Sequence, residues 1–354
     1  MACSRYEIEG VIGFQPAPKK DAIQLNFAFE QPRLFFDEPY TRTTGYPIDT
    51  GYNPSYDADA LPFRYKTRFV SGDAIGIYVV QHDSGVPNFL SSYVSENYAN
   101  NIRAVYDSVA DTPATWTLED SIYHPGDGFQ LDFYAYYPYQ PNTHYGYPTW
   151  DFYPPDPNAI PYKANMNQDT PAGFYGSDFL LGIARNVPMG IPKTNVSMIP
   201  KHAMALVEAK VYHNTAGEAV DPNYKMSLIN VKSTALVSLS DTARKVDYAP
   251  PPHYTPRIDS IVMFNRGTLP DQRGMSLGSE VDTLVYWAVV PPQYIALKTG
   301  SGSSPPPETG ADGLTKGTAL FNRNDSIFVI TTAGIASDLT LRAGEVTTVK
   351  VELR

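Results

Sequence analysis

The chain has 354 residues, 42% of them apolar and only 18% charged, against about 25% charged in ordinary soluble domains. That length and apolar content fit two domains with real cores, not one small sandwich and not a disordered chain. With 27 basic and 37 acidic residues, a net charge of -10 and no basic block, the charge argues against a nucleic-acid backbone as the main partner.

The start, Met1-Ala2-Cys3-Ser4, has neither the basic nor the apolar region of a signal peptide. No stretch approaches the ~20 apolar residues of a membrane-spanning helix. Cys3 is the single cysteine, which excludes an internal disulfide and a cysteine-built metal site. Two readings stand for it at this point: the first residue of a mature lipoprotein behind a two-residue start, or an incidental terminal residue.

Strand signals follow at 6–14 and 22–29, the second alternating well. Residues 31–65 are irregular and rich in Tyr, Pro, Asp and Thr. From residue 69 a strand, a Gly72-Asp73 turn and the run Ala74-Ile75-Gly76-Ile77-Tyr78-Val79-Val80 read clearly. Residues 87–109 are polar with spaced tyrosines and predict a short helix or an extended loop. Strands are expected at 115–118 and 130–137, on either side of the Pro125-Gly126-Asp127-Gly128 turn. Residues 138–175 read as a Pro/Tyr/Asn/Asp loop, and 177–183 as a short apolar strand before the break at 188–192.

The second half opens at 197–212, continues through strands at 224–240, 258–264, 281–290 and 326–332, and contains a Pro/Gly insertion at 300–313. It closes on 346–353, where Val349, Val351 and Leu353 alternate with Lys350 and Glu352. With 32 prolines and 25 glycines, long helices are disfavoured. The pattern predicts an all-β fold of two sandwich domains in tandem, 1–194 and 195–354.

No chemistry-bearing motif emerges. The six histidines, His82, His124, His144, His202, His213 and His253, form no HExxH or other close ligand set. His202 reads as a packed histidine at a strand entrance. Asp127 with Asp132, or Asp151 with Asp156, could supply the carboxylate pair of a glycoside hydrolase, but turn aspartates are ordinary in solvated loops. Neither GxSxG nor a phosphate-binding glycine loop occurs. No enzyme, cofactor or metal is expected. The densest feature is 123–162, where Tyr134, Tyr136, Tyr137, Tyr139, Tyr145, Tyr147, Trp150, Tyr153 and Tyr162 alternate with prolines. Such rings serve packing or protein contact, or sugar binding, with packing and protein contact favoured. Tyr139, Tyr145, Tyr147, Trp150 and Tyr153 are its candidate contact surface.

Several blocks, in order, resemble a known family. Phe69-x-x-Gly72-Asp73-x-Ile75-Gly76-Ile77-Tyr78 is similar to the "F..GD.IGVF" block of the fimbrillin-like proteins of Bacteroides and relatives. Phe133-Tyr134-Ala135-Tyr136-Tyr137-Pro138-Tyr139 is similar to its "FYAYYPY" block, with Trp116 at the usual spacing before it. Asp178-Phe179-Leu180-Leu181-x-x-Ala184 and His202-Ala203-Met204-Ala205-Leu206-Val207 resemble the blocks that follow. The resemblance covers 66–215 firmly, and the Ala343-Gly344-Glu345 turn with the last strand resembles the family's ending. The chain departs from the pattern in its long 31–65 stretch, in Pro200 where a phenylalanine is usual, and at Tyr123-His124.

The resemblance implies two transthyretin-like β-sandwich domains in a secreted precursor, lipid-modified (palmitate-bearing) at Cys3 and anchored to the outer membrane at the cell surface. It implies a stalk, tip or anchor subunit of adhesive fimbriae, or pili. Its partners would be other subunits through strand exchange, with a host protein or glycan as receptor. An arginine-specific cut, at Arg33 or Arg5, would remove an N-terminal strand. The strand 346–353 of a neighbour, with Val349, Val351 and Leu353 as pocket-filling residues, would fill the gap. The alternative is a monomeric surface lipoprotein that binds glycans through its Tyr-rich loops.

Overall fold

The computed structural model describes residues 26–29, 69, 71–86, 88–107, 115–126, 128–142, 155–189, 194–198, 200–213, 221, 223–240, 246–247, 258–269, 283–295, 297–298, 314–315, 319–323, 326–331 and 339–353. Their architecture is all-β, built of several small, mostly antiparallel sheets. The N-terminal half carries β1 (Asn26–Phe29), β2 (Ala74–Asp83), β3 (Ala99–Asp107), β4 (Thr115–Leu118), β5 (Phe129–Tyr137) and β6 (Ile160–Lys163). A five-residue helix α1 (Pro171–Tyr175) and β7 (Leu180–Val187), β8 (Asn195–Met198) and β9 (Lys201–His202) follow. The C-terminal half carries β10 (Ala205–His213), β11 (Met226–Lys232), β12 (Thr234–Val237), β13 (Val246–Asp247), β14 (Ile258–Val262), β15 (Phe264–Leu269) and β16 (Thr283–Val290). It ends with β17 (Gln293–Ile295), β18 (Leu297–Lys298), β19 (Leu314–Thr315), β20 (Ala319–Arg323), β21 (Ser326–Thr331), β22 (Leu339–Leu341) and β23 (Val346–Leu353).

The first sheet runs β4-β3-β2-β5-β7-β9. Its centre is the β2–β5 pair, in which Gly76 faces Tyr136 and Tyr78 faces Tyr134. Their central stretches, 75–80 and 133–137, are buried on both faces and read as nearly continuous apolar runs. One face, with Ile75, Ile77, Val79, Phe133 and Ala135, packs on Val196 and Met198 of β8. β8 in turn pairs in parallel with β1, in the register Asn26↔Asn195 to Phe29↔Met198.

The other face, with Tyr78, Val80, Tyr134 and Tyr136, joins a core continuous with the C-terminal sheets β15-β16-β10-β23 and β14-β11-β20-β21. Strand pairing crosses residue 195 in both directions: β9 extends the first sheet on β7, and β6 pairs with β12. Gln168 strengthens the join, because its buried side chain donates to Val289 O (2.9 Å) and accepts from Val289 N (2.8 Å).

Three elements differ from the expectation for their stretch of sequence. β3 occupies polar residues read as loop or short helix, because the ladder to β2 tolerates Asn101 as an irregular point with φ 50°. Only Val94–Glu96 nearby is helical. Within the supposed 138–175 loop, β6 exists by pairing with β12. There too α1 starts where the Thr170 side chain accepts from Gly173 N, with Pro171 at the first helical turn.

Candidate functional site

Two terminal strands define the site. β23 is an edge strand, paired in parallel with β10 from Leu206↔Val346 to His213↔Leu353. Its apolar alternation is matched by burial: Val351 is fully buried and Val349 nearly so, while Val346 and Thr348 are exposed. Burying a valine this completely contributes roughly 1.5–3 kcal/mol. Leu353 lies in the strand, and nothing further is described for its side chain. The turn before β23 is fastened by Gly344 N to Met204 O (2.8 Å) and Leu206 N to Glu345 O (3.0 Å). Gly344, at φ 71°, adopts the left-handed conformation that this turn needs.

β1, at the opposite end of the chain, lies on β8 and beside β4. The strand signal at 22–29 is therefore observed as Asn26–Phe29. The other N-terminal candidates, the 6–14 strand, Cys3, Arg5 and Arg33, lie outside the described residues, as do Tyr145, Tyr147, Trp150 and Tyr153.

Tyr139 is described and half-buried. Its N–H donates to Ala74 O (2.9 Å), and the Arg103 guanidinium sits 5.6 Å from its ring centroid. The other rings of the block are mostly core. Tyr136 is fully buried; its hydroxyl donates to Asn101 Oδ1 (2.8 Å) and accepts from Gln140 N (3.1 Å), and its ring stacks on Phe179 at 5.8 Å. The Tyr162 hydroxyl donates to Ser177 O (2.6 Å), and that of Tyr78 to Pro155 O.

Burial pushes the phenols of Tyr98, Tyr134, Tyr136 and Tyr139 above the ordinary value of 10.0. For Tyr136 the hydrogen bonds of Gln140 and Asn101 only partly oppose that rise. The fold favours the neutral phenols, so their contribution is full below pH ~10 and is lost as pH rises through the folded values. Stability in urea titrations is expected to hold level up to about pH 10 and fall beyond it. Tyr136→Phe should flatten that alkaline limb, and an unaltered limb would rule out Tyr136 as its main source.

The carboxylates considered for hydrolysis are otherwise engaged. Buried Asp132 accepts from Asn186 N (2.7 Å), lies 3.3 Å from His82 Nε2 and 3.6 Å from the Arg185 guanidinium. Asp156 closes a turn by accepting from Asn158 N (2.9 Å). Asp127 and Asp151 lie outside the described residues. His202 is a buried histidine, its Nδ1 2.9 Å from Asp178 Oδ2, which ties β9 to the segment before β7. Among the described residues, no group of three or more His, Cys, Asp or Glu could hold a metal ion. No helix among them is long and apolar enough to cross a membrane.

Sequence reasoning missed two features. Phe89 and Tyr93 are 77% and 70% exposed on the β2–β3 connection. That connection is braced by Asn97 to Ser91 N and O (2.9 and 2.8 Å) and by Asn158 Nδ2 to Leu90 O (3.1 Å). The signal was the density of Asn and Ser from 88 to 101. The second is Glu208, which reads as a solvent-facing strand position and is only 2% exposed.

Among the described residues the chain is all-β, built of several small sheets, with β1 and β23 the first and last strands. The fimbrillin-like family pattern matches residues 64–354. The chain belongs to the fimbrillin-like family.

Among solved structures, the fold is similar to that of a candidate cell adhesion protein of Bacteroides uniformis, with 14% identity, TM-score 0.47, and 95% of this chain and 94% of that one covered. It is also similar to a candidate cell adhesion protein of Bacteroides ovatus, with 14% identity, TM-score 0.46 and coverage of 95% and 93%. A fimbrial protein of Bacteroides vulgatus is similar at 12% identity, TM-score 0.45 and coverage of 94% and 95%. No curated protein matches the sequence.

Proposed function

We propose that the chain is a stalk, tip or anchor subunit of cell-surface fimbriae that assembles by donor-strand exchange. On this reading it is exported as a lipoprotein held to the outer membrane through Cys3. The first sheet with β1 and β8 forms one transthyretin-like sandwich, and the C-terminal sheets form the other. The two correspond to 1–194 and 195–354, with β6, β8 and β9 lent across the division.

The observation that carries the reading is β23: at the edge of its sheet among the described residues, with alternate apolar residues buried and no hairpin to its partner β10. Such a strand is of the kind that can add to an exposed sheet edge, in its own chain or in a second copy. The vacated groove is the position of β1. Arg33 follows β1 in sequence, so a cut there severs β1 from everything after it, whereas a cut at Arg5 leaves β1 attached. Arg33 is therefore the processing site of this reading. Losing β1 would open the β8 edge above Val196 and Met198, an edge that a neighbour's Val349, Val351 and Leu353 would cover.

Digesting the full chain with an arginine-specific protease should give SDS-resistant oligomers, and deleting residues 346–354 should abolish them. Cleaved protein that stays monomeric defeats strand exchange. The alternative, a monomeric lipoprotein that binds glycans through the Tyr-rich loops, has weaker support. Of its rings, Tyr139 is the one described, and it is half-buried beside Arg103.

A further inference from the structure

The four-stranded sheet β15-β16-β10-β23 carries a polar row across its width. Arg266 of β15 lies 4.3 Å from the centroid of the Trp287 ring of β16. Trp287 Nε1 donates to Glu208 Oε2 of β10 at 3.1 Å. On the other side, the Thr348 hydroxyl of β23 donates to Glu208 Oε1 at 2.9 Å, and Lys210 Nζ lies 3.5 Å from the same oxygen. Trp287, Glu208 and Thr348 stand at one level of the ladder.

We propose that Glu208 is the residue that specifies which strand, in which register, occupies the β10 edge: it selects a hydroxyl at the position of Thr348. The proposal deepens the strand-exchange reading at its donor end, where Glu208 sets how β23 is held on β10 before a neighbour takes it up, and its geometry stands without that reading. A buried carboxylate is costly unless donors meet its oxygens. Trp287 supplies one from within the sheet. The second oxygen faces the edge: Lys210 of the same strand lies 3.5 Å away, and the short hydrogen bond comes from the strand lying there.

Each alternative register loses something specific. A one-residue slip turns Val349 and Val351 out of the core. A two-residue slip one way brings Val346, which has no donor, opposite Glu208. The opposite slip brings Lys350 there, an ammonium at an exposed edge where ion pairs contribute little. That slip also unhooks the turn held by Gly344 N to Met204 O and Leu206 N to Glu345 O. Hydroxyl and turn together leave the observed register as the one with every contact made. A buried polar residue that fixes strand or helix register at modest cost is the best-attested use of such groups.

The test uses the full, uncut chain and follows amide hydrogen exchange across 346–353. Thr348→Val keeps the shape and removes the donor, and Thr348 is exposed enough that the fold should survive. Exchange of the β23 amides should accelerate about tenfold, the ordinary weight of a hydrogen bond to a charged group. Thr348→Ser should restore the parent rate. Combining Glu208→Gln with Thr348→Val should add little beyond the larger single effect. A parent-like rate in Thr348→Val, or no rescue by serine, overturns the assignment. If the exchange pattern holds while arginine-cut protein stays monomeric, strand exchange falls and the role of Glu208 stands.

Discussion

Gly76→Ala is expected to unfold the protein at a much lower urea concentration than the parent, through a loss of about 3 kcal/mol or more. The added methyl group would sit 2.5 Å from Asn101 Oδ1 and 2.6 Å from Tyr136 Cζ. Neither neighbour can give way cheaply. The Tyr136 ring is fully buried, stacked on Phe179, and tied through its hydroxyl to Asn101 and Gln140. Moving it breaks the network that also sets the strand's exit at 140, because interiors this dense transmit displacement instead of absorbing it. Gly72 offers the contrast. A methyl group there meets open space, but the residue sits at φ 98°, so Gly72→Ala should cost only about 1 kcal/mol of backbone strain. Similar midpoints for the two variants would contradict this account of the block.

Val351→Asp should release the C-terminal strand from β10. Val351 is fully buried opposite Val211, and a carboxylate placed there has no partner to offset its lost hydration. Hydrogen exchange of residues 346–353 should approach that of unprotected chain, and melting should shift by several degrees, as a change of a few kcal/mol requires. Val346→Asp, on the exposed face of the same strand, should leave both nearly unchanged. On the strand-exchange reading the first variant also fails to polymerise after proteolysis, because the same side chain must enter a neighbour's groove. Equal protection of the strand in the two variants would refute the alternation on which that reading depends.

Strands with clean punctuation were readable from the residues. β4 and β23 have the bounds that their alternation and flanking turns predict, and β5 differs by one residue at its start. The unreadable strands are those whose sequence does not argue for them. β3 contains Asn100, Asn101 and Arg103, and it is extended because β2 and β4 pair with it on either side. β6 includes a proline and is a strand through β12. In the Tyr-rich block, Tyr134, Tyr136, Tyr137 and Tyr162 are buried, but which rings pack and which meet solvent was not legible, since alternation within a doubly covered strand gives no sign of it.

The terminal strand of the candidate site was legible from alternation alone. Glu208 was not, because Val207-Glu208-Ala209-Lys210 scans as core and solvent positions in turn. The groups that make burial of that carboxylate tolerable include the Trp287 indole and the Thr348 hydroxyl, 79 and 140 residues away in sequence.

The parallel pairing of both terminal strands has a kinetic consequence. A parallel pair cannot close through a tight turn; β23 meets β10 across some 140 residues of chain, and β1 has no partner until residues 195–198 are made. Closing loops of that size early is entropically unfavourable, and such contacts slow folding. The two ends should therefore dock last, onto sheets already formed. During synthesis the chain passes through a stage in which both strands are still free, and any partner that must be kept from them has to be excluded at that stage.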